Sequence, residues 1–267
     1  LQKPLADARG SERASGATTD RRQFLQILAP AALVAQQQAA KRNPNVVVIV
    51  TDDHGIGDLG CFGSTDAKTP NLDRLAASGV RFNQWYSNAP VCSASRAAIL
   101  TGKYPMRTGV QGALKSEPTF DVQGLRKGET TLASVLRGTL GYRTAAIGKW
   151  HLGSIAESKP RAQGFDEFFG WYSGWLDAYS HRYYQLGSPP GKIFHDLWRN
   201  GEQVYEEPAY MTELLGREAR AFLTRQQGAA APFFLYLCFG APHYSMMAPK
   251  KYLDRFPADM APDRRVH

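Results

Sequence analysis

The most constraining feature of this sequence is a run of five apolar β-branched residues, Val46-Val47-Val48-Ile49-Val50, leading straight into Thr51-Asp52-Asp53. A strand with no polar alternation is expected in a parallel sheet, buried on both faces. Parallel strands need crossover connections, usually helices, and the following sequence supplies them. Residues 70–78 predict a helix, with Thr69 as N-cap, Pro70 at the first helical position and Gly79 as the stop. A second helix is expected from Ser93 to Thr101, closed by Gly102. Leu132, Val135, Leu136 and Leu140 predict a third over Glu129–Leu140, ended by Gly141. Residues 80–86 read as a strand, as do Tyr142–Ile147 and the apolar run Pro232–Phe239, PFFLYLCF. Pro208–Arg225 reads as an amphipathic helix. Alternating strands and helices imply an α/β fold with a largely parallel sheet and helices on both faces. Residues 154–207, rich in Gly, Pro and aromatics, are expected to form long loops.

Composition admits this fold: 43% of the 267 residues are hydrophobic and 11% aromatic, far from the profile of a disordered chain. The net charge of +8 is uneven. Residues 1–43 hold seven basic and three acidic residues, and the remainder carries only a mild excess of +4. That excess suits either an anionic substrate or an ordinary solvated surface. No basic run is interleaved with aromatics, so nucleic-acid binding is not expected. The three cysteines, Cys61, Cys92 and Cys238, are too few for a disulfide framework and contain no Cys-x-x-Cys pair. The absence of an initiator Met and of a closing element after His267 gives the expectation of a fragment.

Arg21-Arg22 precede a short apolar run, Phe24 to Ala35. This is the pattern of a twin-arginine export signal, read by the twin-arginine translocase, and it predicts a periplasmic or extracellular destination. The run is too short, and broken by Pro30, to serve as a stable membrane anchor. An Ala-rich surface helix after Asp20 is the alternative. The expected division is a signal and linker over 1–43, then a catalytic domain over 44–267.

In open α/β sheets, ligands bind beyond the carboxyl ends of the strands. Three expected strand ends carry chemically capable residues: Asp52-Asp53, Lys149 with His151, and His243. Adjacent carboxylates repel, and a hard divalent cation relieves the repulsion; a turn or cap acid is the plainer account of either Asp alone. Cys92 and Arg96 stand four residues apart, on one helix face and near a helix N-terminus, which suits attack on an anionic ester. A small buried Cys is the commoner reading of such a pair alone. Taken singly, Lys149 and His151 could be a salt-bridging turn and His243 a loop cap.

Four ordered segments make the pattern specific: TDDHGIGDLGCFG (51–63), CSASR followed by TGKYPMRTGV (92–96 and 101–110), GYRTAAIGKWHLG (141–153) and PFFLYLCFGAPH (232–243). Together they resemble the sulfatases of the alkaline phosphatase superfamily over roughly residues 45–256. The resemblance implies that Cys92 is oxidised to formylglycine by a formylglycine-generating enzyme. It further implies that Asp52, Asp53 and an oxygen on residue 92 bind one calcium ion. The aldehyde hydrates, and one hydroxyl attacks the sulfur of a sulfate ester. Arg96 and Lys149 hold the diol and sulfate, His243 protonates the leaving oxygen, and His151 takes a proton from the second hydroxyl to expel sulfate. Two departures stand out. Ala94 replaces a Pro common in the signature, which leaves the maturation enzyme open. Family members also run longer, with a later Asp-Asn pair completing the calcium site and a later Lys on the sulfate, so the chain reads as an N-terminal portion, truncated at its C-terminus.

The same signature serves phosphodiesterases and phosphonate monoester hydrolases, and loss of maturation would leave a non-catalytic binder of sulfated glycans. The aromatics Trp171, Tyr172, Trp175, Tyr179, Tyr183 and Tyr184 could stack on a sugar, although core packing of the loop is the simpler expectation. Cys61 and Cys238 read as packing residues, and His54, His181 and His195 have no assignment.

Overall fold

A computed structural model of the chain describes residues 43–184 and 192–267. In chain order its principal elements are β1 (Val46–Asp52), α1 (Pro70–Ala77), α2 (Cys92–Thr101), α3 (Leu132–Leu140), β2 (Arg143–Lys149), β3 (Glu167–Trp171), β4 (Arg182–Tyr183), β5 (Phe194–His195), β6 (Trp198–Arg199), β7 (Glu202–Gln203), α4 (Met211–Gln226), β8 (Phe233–Pro242), α5 (Lys250–Leu253) and α6 (Pro262–Val266). The export signal expected over residues 18–40 lies outside the described residues. Among the described residues, no helix is long and apolar enough to cross a membrane.

Six strands form one sheet in the order β1-β8-β2-β3-β6-β7. The first four run parallel, and β6 and β7 continue it antiparallel. The pleat of β8 divides the core. Leu235 and Leu237 face α4, packing with Leu214, Leu215 and Phe222, while Phe234, Tyr236 and Cys238 face the side of α2 and α3, with Ala97, Leu100 and Leu136. Each fully buried Leu or Phe on these two faces contributes about 1.5–3 kcal/mol relative to an exposed one. The expected α/β layering, with helices on both faces, is therefore present.

Four local expectations need correction. β1 is not buried on both faces: Val46, Val48 and Val50 pack inward, but Ile49 is 52% exposed and Val47 is also exposed. Among the described strands β1 lies at the sheet edge, and α4 packs over β8 and β2 without covering it. Residues 80–86 form no strand and have largely exposed side chains, because no sheet edge pairs with them. The helix expected from Glu129 begins instead at Leu132, where Thr131 accepts from the Ser134 backbone at 3.0 Å as N-cap. Residues 154–207 are not all loop, since β3, β6 and β7 join the main sheet and β4 pairs with β5 in a ribbon. Short strands interrupted by Gly and Asp have no periodicity long enough to read.

Candidate active site

The parallel pairing of β1, β8 and β2 brings three strand ends side by side. β1 closes with buried Asp52, and the backbone amide of His243, just past β8, donates to the Asp52 carbonyl at 3.0 Å. Asp53 turns off the strand at φ 59°, placing its carboxylate in solvent, 67% exposed. Lys149 ends β2 and is 1% exposed. The preceding Gly148, at φ 105°, lies so close to β8 that a Cβ there would be 1.8 Å from the Cys238 carbonyl oxygen, so only glycine fits.

Asp52 lies at the centre of a buried ion cluster. Arg96 donates to its Oδ1 at 3.3 Å, Lys149 bonds its Oδ2, and Arg96 also reaches the Lys149 carbonyl at 3.1 Å. Burial pushes the Asp52 pKa up, but the adjacent Lys149 and Arg96 charges outweigh it and hold the carboxyl below its usual range. Burial, reinforced by Arg96, lowers the Lys149 pKa against the pull of Asp52.

Cys92 is not just ahead of the helix but its first residue, with Val91 as N-cap and Arg96 one turn further on. Its Sγ lies 3.2 Å from His151 Nδ1. The other ring nitrogen, Nε2, is 2.9 Å from the Leu114 carbonyl, which can only accept, so Nε2 carries the hydrogen and Nδ1 turns its lone pair on position 92. Burial first, and then the Lys149 charge, pull the His151 pKa down to about 3. The imidazole is thus neutral and oriented as a base. Leu114 is itself held by a bond from its amide to Ser93 Oγ at 3.1 Å. Sequence reasoning missed this tether. A backbone carbonyl leaves no signature, although Ser93 sits inside the CSASR segment.

A cleft of about 780 Å³ opens over this cluster, lined by Asp52, Asp53, Cys92 and Arg96 and edged by the exposed Trp85 and Tyr86. His243 stands beside the two carboxylates, its charge acting on Asp52. Its Nε2 lies 3.7 Å from Asp53 Oδ2, and its ring stacks on Trp175 at 6.0 Å beside a smaller cavity of about 90 Å³ that shares Asp52. Of the aromatic run, Trp171, Tyr172 and Tyr183 are core, and Trp175 lines the His243 cavity. Two carboxylates and the atom at residue 92 open on the cleft, a donor set of the right kind for a hard cation but short of the roughly six to eight ligands calcium takes. Cys238 is buried as expected, and Cys61 is half-buried.

The "Sulfatase" family model matches residues 44–265. The chain belongs to the sulfatase family. It is 37% identical over 227 residues to the N-acetylgalactosamine-6-sulfatase of Sus scrofa, covering 80% of this chain and 42% of that protein. Human steryl-sulfatase is 43% identical over 145 residues, 51% of this chain and 24% of that protein. The chain spans less than half the length of these curated relatives. Among solved structures it resembles Ps i-CgsB in complex with k-i-k-neocarrahexaose, with a TM-score of 0.76 and 34% identity over 84% of this chain and 51% of that one. It also resembles BT4656 in complex with its substrate D-glucosamine-2-N,6-O-disulfate, with a TM-score of 0.63 and 28% identity over 83% of this chain and 39% of that one. The sulfatase-family fold thus carries the four expected motifs on adjacent strand ends and the helix beside them.

Proposed function

We propose that this sulfatase-family chain carries the nucleophilic half of a sulfuric ester hydrolase site acting on a sulfated carbohydrate. The observation that carries the reading is the pairing of Cys92 with a neutral, tautomer-locked His151, beside the Asp52–Arg96–Lys149 cluster. Oxidation of Cys92 to formylglycine by a formylglycine-generating enzyme would give an aldehyde whose hydrate has two hydroxyls. One attacks sulfur. The other passes its proton to His151 Nδ1, after which the C–O bond to sulfate breaks and the aldehyde returns. Arg96 and Lys149, held through Asp52, offset the charge that develops on the sulfate oxygens. His243, beside Asp53, is the group for protonating the leaving alcohol, and its ring stacks on Trp175.

Asp52, Asp53 and an oxygen at residue 92 would hold one calcium ion, whose charge would favour the ionised form of the attacking hydroxyl. The carbohydrate is supported by the sulfated sugar named with BT4656, the sugar named in the N-acetylgalactosamine-6-sulfatases, and the exposed Trp85 and Tyr86 at the cleft rim. Arg21-Arg22 and the apolar run after them support export by the twin-arginine translocase to the periplasm or beyond, with residues 1–43 as the signal and linker and 44–267 as the catalytic domain.

The test begins with co-expression alongside a formylglycine-generating enzyme and mass spectrometry of the tryptic peptide 82–96, FNQWYSNAPVCSASR. An aldehyde at residue 92, with turnover of aryl sulfate far exceeding that of aryl phosphonate, supports the reading. Dominant phosphonate turnover makes the site a phosphonate hydrolase, and sulfated-glycan binding without turnover by the aldehyde form makes it a binder.

A further inference from the structure

A second set of donors converges away from the Cys92 cleft. His181 precedes β4, His195 ends β5 and Glu207 lies in the segment leading to α4. One ligand atom from each lies within 4.8 Å of the other two, and among the described residues this is the one such group of His, Cys, Asp and Glu. His181 Nδ1 is 3.9 Å from Glu207 Oε2, and His195 Nε2 is 3.2 Å from Oε1. The imidazoles are 0% and 7% exposed, set edge to face at 6.4 Å.

The hydrogen bonding of these rings is incomplete in a specific way. His181 Nε2 is 2.9 Å from the Ala209 carbonyl, so it carries a hydrogen, and Nδ1 is the nitrogen turned to Glu207. That Nδ1 is buried without a hydrogen-bond partner, and so is His195 Nδ1, while His195 Nε2 faces Glu207 Oε1. Buried polar atoms of this kind are costly unless something meets them. One proton between His195 and Glu207 would serve one ring and leave His181 Nδ1 bare. A single divalent cation meets His181 Nδ1, His195 Nε2 and Glu207 at once, leaving only His195 Nδ1 without a partner. The bond from His181 Nε2 to a carbonyl is also the outer contact that a metal-ligating histidine makes, since it fixes the ligating nitrogen. Tyr205 stacks on the His195 ring at 4.4 Å and holds its plane.

We propose that His181 Nδ1, His195 Nε2 and Glu207 form a site for zinc or a similar borderline divalent metal, with the fourth position open to water. Two imidazoles and one carboxylate are zinc's ligand chemistry, unlike the oxygen-only set that calcium takes. Glu207, with its side chain 27% exposed, marks the solvent side and the path of entry. The ion would clip the β4–β5 ribbon to the segment before α4. That ribbon bears Tyr183 and Phe194, stacked at 5.0 Å; Tyr183 meets Trp175 at 4.9 Å, and Trp175 backs His243. The metal would therefore brace the wall behind His243.

Calorimetric titration of the full chain with Zn²⁺, in excess Ca²⁺ and without a polyhistidine tag, tests this. The expected result is one Zn²⁺ per chain, and Co²⁺ in its place should show the intense visible absorption of a four-coordinate site. Cys92→Ser should bind equally well. His181→Gln and His195→Gln should each lose more than the roughly 10–100-fold that removing an outer-shell partner costs. Failure of wild type to bind stoichiometrically, or undiminished binding by both His variants, would overturn the proposal. Crystals grown with zinc give a check independent of variant folding: an anomalous peak between His181 and His195 supports the site, and a peak only beside Cys92 or Asp53 removes it.

Discussion

Two buried polar clusters in this chain differ in how nearly complete they are. Around Asp52, two cations meet one carboxylate, and both of its oxygens are bonded. Around Glu207, two imidazole rings meet one carboxylate and leave His181 Nδ1 and His195 Nδ1 without hydrogen-bond partners. A cluster whose carboxylate is bonded at both oxygens, and which keeps one surplus positive charge, is expected to contribute to the folded state and to hold an anionic group alike. A cluster that leaves donors bare is expected to matter little until something binds. The contrast follows from the side chains each cluster gathers: Lys149 from the end of β2 and Arg96 from α2 bring cationic groups, whereas imidazoles bring ring nitrogens.

The largest effect should fall on chemistry alone. Relative to the matured wild type, Cys92→Ala should lower kcat by on the order of 10⁴-fold or more, with the melting temperature almost unchanged. A comparable loss of stability would show that residue 92 is structural. Next, Asp52→Asn should cut kcat by on the order of 10²-fold or more and also cost about 3–5 kcal/mol in denaturant unfolding, because it leaves Arg96 and Lys149 as buried cations without a counter-charge. If stability is untouched, the cluster is not closed in the way the contacts indicate.

His151 gives a pH test of intermediate size. Burial lowers its pKa from 6.5 to about 3, so below pH 6.5 the unfolded chain takes up a proton that the folded chain refuses. Stability should be fully retained above pH 6.5 and fall as pH drops towards 3, by on the order of 4 kcal/mol for this group. His151→Asn should flatten that part of the unfolding profile; an unchanged profile would mean His151 is not buried neutral. The smallest effect is expected at the second cluster. With a chelator present, His195→Gln should shift unfolding by about 1 kcal/mol or less, whereas with zinc the wild type should gain stability that the variant lacks. A large loss in chelator would mean that the rings already bind each other firmly.

Much of the first cluster was legible in the sequence. Asp52-Asp53 after VVVIV, Lys149 and His151 after a short apolar strand, and Cys92 four residues before Arg96 were each readable from local pattern. None of the second cluster was. His181 and His195 sit in two-residue strands, within a stretch expected to be loop, and Glu207 belongs to a connection. His243 shows the opposite limit: its place at a strand end was readable, but the stacking of its ring on Trp175 and its approach to Asp53 were not.

The sequence by itself determined the alternation of strands and helices, the strand ends at which polar residues gather, and the family. These depend on periodicity, capping and residue type within a few positions of one another. Only the tertiary structure decided that β8 runs between β1 and β2, that β1 keeps one apolar face uncovered, and which nitrogen of His151 carries its proton. Those outcomes depend on groups far apart in the chain. The carbonyl that sets the His151 tautomer belongs to Leu114, 37 residues away, and nothing in local sequence encodes the direction of a backbone oxygen.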